Sequence, residues 1–183
     1  MKNLLAALCL MAIIASCSAP TQEAETADTP PPPPPPSRGI ELGDESLIDI
    51  AKQGLDAMTA QDLDGFTAAF TDDAVYQFNS GDSLAGIDQI REYWQGRMDV
   101  IETISFSQEI FLPVTVTEYQ AAGPGDWVLA WFNVQATYSG GGAMGQSIHT
   151  AYHFTADKKI DRVVQWLDRV PIMQAQEGGG AGE

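Results

Sequence analysis

Seven consecutive prolines, Pro30 to Pro36, decide where this chain can fold. Proline fixes φ and lacks an amide hydrogen, so neither a helix nor a central strand can cross such a run. It favours an extended polyproline II rod, and seven residues at about 3.1 Å each span roughly 22 Å. Ser18 to Gly39 also lacks any large aliphatic or aromatic side chain. A core needs such side chains, so the folded domain is expected over Ile40 to Met173, with residues 17–39 as a linker. From Gln174 onward the chain is Gly-rich, and a disordered tail is expected there. A docking site for an aromatic groove is the other use of a proline run, but a spacer accounts for it with fewer assumptions.

Nine Lys and Arg stand against 25 Asp and Glu, a formal charge of −16. Nucleic acids and anionic lipid surfaces are bound through clustered cations, so this balance argues against both as partners.

Before the prolines, Lys2 precedes an apolar run from Leu4 to Ala15 that is too short to span a bilayer. It ends in Ile14-Ala15-Ser16-Cys17, which resembles a bacterial lipobox. The resemblance implies a signal peptide over residues 1–16, cleavage before Cys17 and acylation of Cys17 with fatty chains such as palmitate. Two or more chains anchor a protein stably, whereas one is marginal. Cys9 leaves with the signal, so the mature chain keeps one cysteine and forms no internal disulfide. Ser18 after the cysteine goes, in enterobacterial lipoproteins, with sorting to the outer membrane facing the periplasm.

Within the domain, Asp44 is placed to cap a helix reaching about Ala60, with Leu47, Ile48, Ala51, Leu55 and Met58 on one face. Asp62 caps a second helix in which Leu63, Phe66 and Phe70 recur at helical spacing, and a third helix fits Ile87 to Met98. Ala74 to Phe78 reads as a strand and Gly81 to Gly86 as a turn-rich connection. Long alternating stretches follow over Ile104–Glu118, Trp127–Tyr138, Ser147–Phe154 and Ile160–Val170. Helices first and antiparallel strands after predict an α+β fold with helices on one face of a curved sheet.

Three strings in this order, Asp62-Leu63-Asp64-Gly65-Phe66, Phe70-Thr71-Asp72-Asp73-Ala74-Val75 and Gly86-Ile87-Asp88-Gln89-Ile90-Arg91, resemble the nuclear transport factor 2-like superfamily. That group includes SnoaL-like polyketide cyclases and ketosteroid isomerase. The likeness covers about Ser46 to Val170 and implies a cone, a strongly curved antiparallel sheet wrapped around about three helices (a cystatin-like roll) with a pocket at its open end. Such a fold fixes no activity. Aligning the strings puts Gly54 at the isomerase's catalytic tyrosine, Phe78 at its general base with Asn79 beside it, and Tyr152 at its acidic oxyanion donor. Phe78 accepts no proton and Gly54 donates none, so that mechanism is not expected here.

Strand alternation puts Tyr76 and Phe78 on one face, and Thr150, Tyr152 and Phe154 on another inward row. Val128 to Ala136 form a further row around Phe132, with Trp166 and Asp168 assigned to the last strand. Together with Tyr93 and Trp94 of the third helix, these are the candidate pocket residues. Small-molecule sites have this makeup, apolar with a few polar points, although the same rows can simply fill a core. Asp168 is the one acid assigned inward. Burial beside Trp166 would make it, with Tyr152, the catalytic pair of an enzyme; at the rim it would instead pair with Arg169 or Arg97.

His149 and His153 lie four apart in a strand-like stretch, which separates their rings by roughly 13 Å and puts both opposite Tyr152. That is too wide for one metal ion, so no metal site is expected, and no Gly-rich phosphate loop or serine elbow points to a cofactor. Asp72 and Asp73, one apart, point different ways and suit turn hydrogen bonding. The leading reading is an envelope lipoprotein whose domain binds a small apolar or amphipathic molecule without catalysis. The alternatives are a SnoaL-like isomerase, cyclase or dehydratase using Asp168 and Tyr152, and an interaction module whose outer sheet face forms a homodimer or docks a partner.

Overall fold

The computed structural model describes residues 39–118 and 123–178; the expected signal peptide and anchor at Cys17, the proline run and the last five residues lie outside them. The order is β1 (Ile40–Leu42), α1 (Ser46–Thr59), α2 (Leu63–Thr67), β2 (Phe70–Phe78), β3 (Ser83–Ala85), α3 (Ile87–Met98), β4 (Ile101–Val116), β5 (Gly125–Tyr138), β6 (Ala143–Phe154), β7 (Ile160–Trp166) and α4 (Arg169–Glu177). The fold is α+β: one seven-stranded curved sheet, ordered β1-β4-β5-β6-β7-β2-β3, and four helices.

Side-chain acceptors mark the starts of α1 and α2, and a glycine that of α3. Asp44 accepts from the Ser46 amide at 2.9 Å, and α1 then buries Leu47, Ala51, Leu55 and Met58 along one stripe. Asp62 caps α2 by accepting from Gly65 N at 2.9 Å. Gly86 precedes α3 with φ of 87°, a conformation open to glycine at no steric cost. Ile90 and Met98 of α3 are buried, and Trp94 packs half-buried between them and the sheet.

Three long strands, β4, β5 and β6, form an antiparallel backbone for the sheet. Phe106 meets Val134 across β4 and β5, and Val128 meets Tyr152 across β5 and β6. The ladder of β4 slips between Ser107 and Ile110, where Gln108 takes φ of 52°. Such a bulge bends the strand and sharpens its twist, which lets the sheet curl over the helices. The far edge is built differently: β2 runs parallel to β7, with Tyr76 opposite Val163 and Phe78 opposite Gln165.

Several boundaries differ from the sequence expectation. Phe70 opens β2 instead of closing the second helix, and a short β3 sits inside the connection read as turn. β1 was not anticipated; three residues are too few to show alternation, and they are held by pairing Ile40 with Val116. The last strand stops at Trp166, and residues through Glu177 form α4, so the described part of the expected tail is helical. Asp168 accepts from Val170 N at 2.9 Å and Pro171 lies in the first turn, a helix-start signature that the alternation concealed.

Candidate functional site

Helices α1, α2, α3 and α4 and the inner sheet face enclose a cavity lined chiefly by apolar and aromatic side chains. About 70 Å³ is open to the centre of a water-sized sphere, room for roughly five waters or one small ring. Leu55, Met58, Phe66, Tyr76, Phe132, Val134, Tyr152 and Gln165 form its buried wall. Half-buried Tyr93, Arg97, Ile104, Met144, Leu167 and Ile172 add to the lining. A smaller hollow on the α1–α2 side shares Phe66 and Tyr152, and Gly54 faces that one.

Trp94 is the hub of the aromatic wall. Its ring lies 5.3 Å from Phe66, 5.8 Å from Tyr76 and 5.4 Å from Tyr93, all edge-on, a favoured arrangement for aromatic pairs. Phe106 meets Phe132 edge-on at 5.3 Å across the sheet. Two buried polar atoms of this lining have no hydrogen-bond partner: Trp94 Nε1, a donor, and Gln165 Oε1, an acceptor. An unmet polar atom in an apolar setting costs about 1–3 kcal/mol.

Burial raises the Tyr76 hydroxyl well above the ordinary tyrosine range, reinforced by Tyr152 and Tyr93 nearby. Burial raises Tyr152 as well, partly offset by a hydrogen bond with Thr150. Tyr93 is also raised by burial, against the opposing pull of Arg97 and Arg169. All three are therefore neutral hydroxyls at physiological pH, able to donate or accept but not to act as phenolate bases. Among the described residues, no carboxylate, imidazole or thiol lines this cavity, and Arg97 is the one charged residue that does.

Of the nine pocket candidates, Tyr76, Tyr93, Trp94, Phe132 and Tyr152 share the cavity lining. Phe78 and Phe154 are buried in the surrounding core and do not face it. Trp166 and Asp168 are corrected: neither points inward. Trp166 is 43% exposed on the outer face, and exposed Asp168 caps α4. The ladder between β6 and β7 slips after Ile160, where His153 pairs with Arg162 but Phe154 with Ile160. One extra residue reverses the parity, so Val163 and Gln165 face in and Trp166 faces out. Arg169 pairs with Asp82 at 2.7 Å, and Arg97 donates to Tyr138 Oη at 3.0 Å; neither meets Asp168.

His149 and His153 sit opposite Tyr152 as their parity requires. His149 stacks between Trp131, 4.6 Å away, and Trp166, 4.9 Å away; His153 pairs with Asp161. Among the described residues no three His, Cys, Asp or Glu side chains gather closely enough to hold a metal. Sequence reasoning missed Gln165, hidden by the bulge, and treated Arg97 only as a partner for Asp168. Its position three residues beyond Trp94 on α3 was the available clue.

This arrangement of helices and curled sheet is found in other proteins. Residues 51–165, more than half of the chain, match the family of SnoaL-like domains. The chain belongs to that family. Among solved structures, this SnoaL-like domain resembles an isomerase candidate from Bacillus subtilis with a TM-score of 0.60 and 19% identity, covering 73% of this chain and 94% of that one. It resembles a polyketide cyclase candidate from Xanthomonas campestris pv. campestris with a TM-score of 0.57 and 14% identity, covering 70% and 95%. It also resembles TerC, crystallised with polyporic acid, with a TM-score of 0.56 and 15% identity, covering 72% and 98%. At these identities the likeness establishes the fold alone. No curated relative matches the sequence.

Proposed function

We propose that this SnoaL-like domain binds a small, largely apolar molecule in the cavity beneath α3 and does so without catalysis. One observation carries the reading: the cavity has an aromatic wall with buried tyrosine hydroxyls, yet among the described residues no carboxylate or imidazole lines it to move a proton. The cyclase and isomerase candidates among the fold neighbours are compatible with a ring-shaped occupant. The enzyme reading through Asp168 has lost its base, since that carboxylate is engaged at the start of α4.

Native mass spectrometry of protein purified from its own host tests the reading. A retained small molecule is expected, and Ile104→Trp, which places a large ring at the half-buried edge of the lining, is expected to lose it while the melting temperature stays the same or rises. Retention by Ile104→Trp, or an empty wild-type protein that also binds no apolar probe, defeats the proposal.

The lipobox supports a second part of the reading, a lipid anchor at Cys17 in the cell envelope. Cys17→Ala is expected to move the protein from the membrane to the soluble fraction; unchanged membrane association overturns the anchor. The interaction reading draws support from one outer-face row, Ile110-Trp131-His149-Trp166 across four strands, in which both tryptophans are about 40% exposed. The subunit count from the same mass spectrum tests it, a dimer being expected.

A further inference from the structure

The charge at the edge of the cavity narrows the occupant's chemistry. Arg97 belongs to the last turn of α3 and is the single charged side chain in the cavity lining. Among the described residues, Arg91 pairs with Asp64, Lys158 with Asp44 and Arg169 with Asp82, whereas Lys52, Lys159, Arg162 and Arg97 have no carboxylate partner, and of these four Arg97 is the one that lines the cavity. Arg97 Nη2 donates to Tyr138 Oη at 3.0 Å, and its guanidinium lies 5.8 Å from the centre of that ring. A guanidinium carries five N–H donors in a planar fork, so most of Arg97's donors are left for a guest. In a chain with 25 acidic residues, a guanidinium free of carboxylates beside an apolar cavity is not explained by surface ion pairing.

We infer that the ligand is a monoanion, a small ring or branched hydrocarbon bearing one carboxylate, held with its apolar body against Trp94, Tyr76 and Phe132 and its carboxylate on Arg97. The inference rests on the ligand-binding reading and adds the charge and the anchoring residue. Tyr138 fixes the guanidinium from one side, leaving the fork able to receive both oxygens of a carboxylate. Bidentate pairing of this kind is strong where water is scarce, and the apolar wall supplies that setting. The strongly negative surroundings slow the approach of an anion, so affinity must come from contacts within the cavity.

The test compares two probes of equal shape, phenylacetate and phenylacetamide, by titration calorimetry on the purified chain at pH 7. Phenylacetate is expected to bind at least about tenfold tighter than the amide, an advantage that shrinks in high salt. Arg97→Gln is expected to bring the two within about twofold of each other, and Arg97→Lys, which keeps the charge but not the fork, to retain part of the gap. A purely structural role for Arg97 would weaken both probes alike and leave their ratio unchanged. Equal binding of the two probes by the wild-type protein, or a preference that survives Arg97→Gln, overturns the inference while leaving the cavity reading intact. Failure of both probes to bind in millimolar excess removes both.

Discussion

Tyr76, Tyr93 and Tyr152 show how single residues report the state of this interior. Each holds its proton beyond the ordinary tyrosine range, chiefly because burial disfavours the phenolate. An unfolded tyrosine ionises near pH 10, so above that value the folded chain binds more protons than the unfolded one and rising pH favours unfolding. Below about pH 10 this contribution is constant. Absorbance at 295 nm is expected to show at least three of the five tyrosines ionising late, together with loss of near-ultraviolet circular dichroism. Early titration of all five would contradict the burial. The same scale exposes what a sequence hides: Tyr76, Phe132 and Tyr152 were legible by alternation, whereas the unmet atoms of Trp94 and Gln165 depend on which neighbours fail to arrive.

At the scale of elements, the end of β7 carries the main lesson. Ile160 to Val170 reads as one strand because its apolar residues alternate, but a slip after Ile160 turned the pattern over and moved Trp166 outward. A bulge adds one residue to one strand and leaves no mark in a single chain, so the inward assignment of Asp168 could not be corrected from the sequence alone. Asp168→Ala is expected to cost about 1 kcal/mol through the lost helix cap, with binding in the cavity little changed. Chemical denaturation against ligand titration separates the two effects; loss of binding at unchanged stability would restore a direct role. The packing of α4 rests on the β5–β6 turn, where Gly142 faces the backbone of Ala175 so closely that a Cβ would collide with the Ala175 carbonyl. Gly142→Ala is expected to displace α4, destabilise the fold by about 1–3 kcal/mol and loosen the cavity side formed by Ile172. An unaltered midpoint would show that the turn yields instead.

For the whole molecule, fold class and most elements followed from periodicity, because α1 carries a full apolar stripe and β5 alternates over more than ten residues, while β6, legible only from Ser147, begins at Ala143. The edges did not, since β1 and β3 are three residues long and exist only through their partners. The placement of β7 between β6 and β2 has a consequence for how the molecule comes into being. On the side away from β3, β2 finds its companion in β7, with Tyr76 opposite Val163, nearly ninety positions downstream. A nascent chain emerging from the ribosome therefore cannot complete its sheet until β7 has been made, and such distant pairings form slowly. A polypeptide that stays open this long remains threadable, and the order of synthesis itself keeps it so.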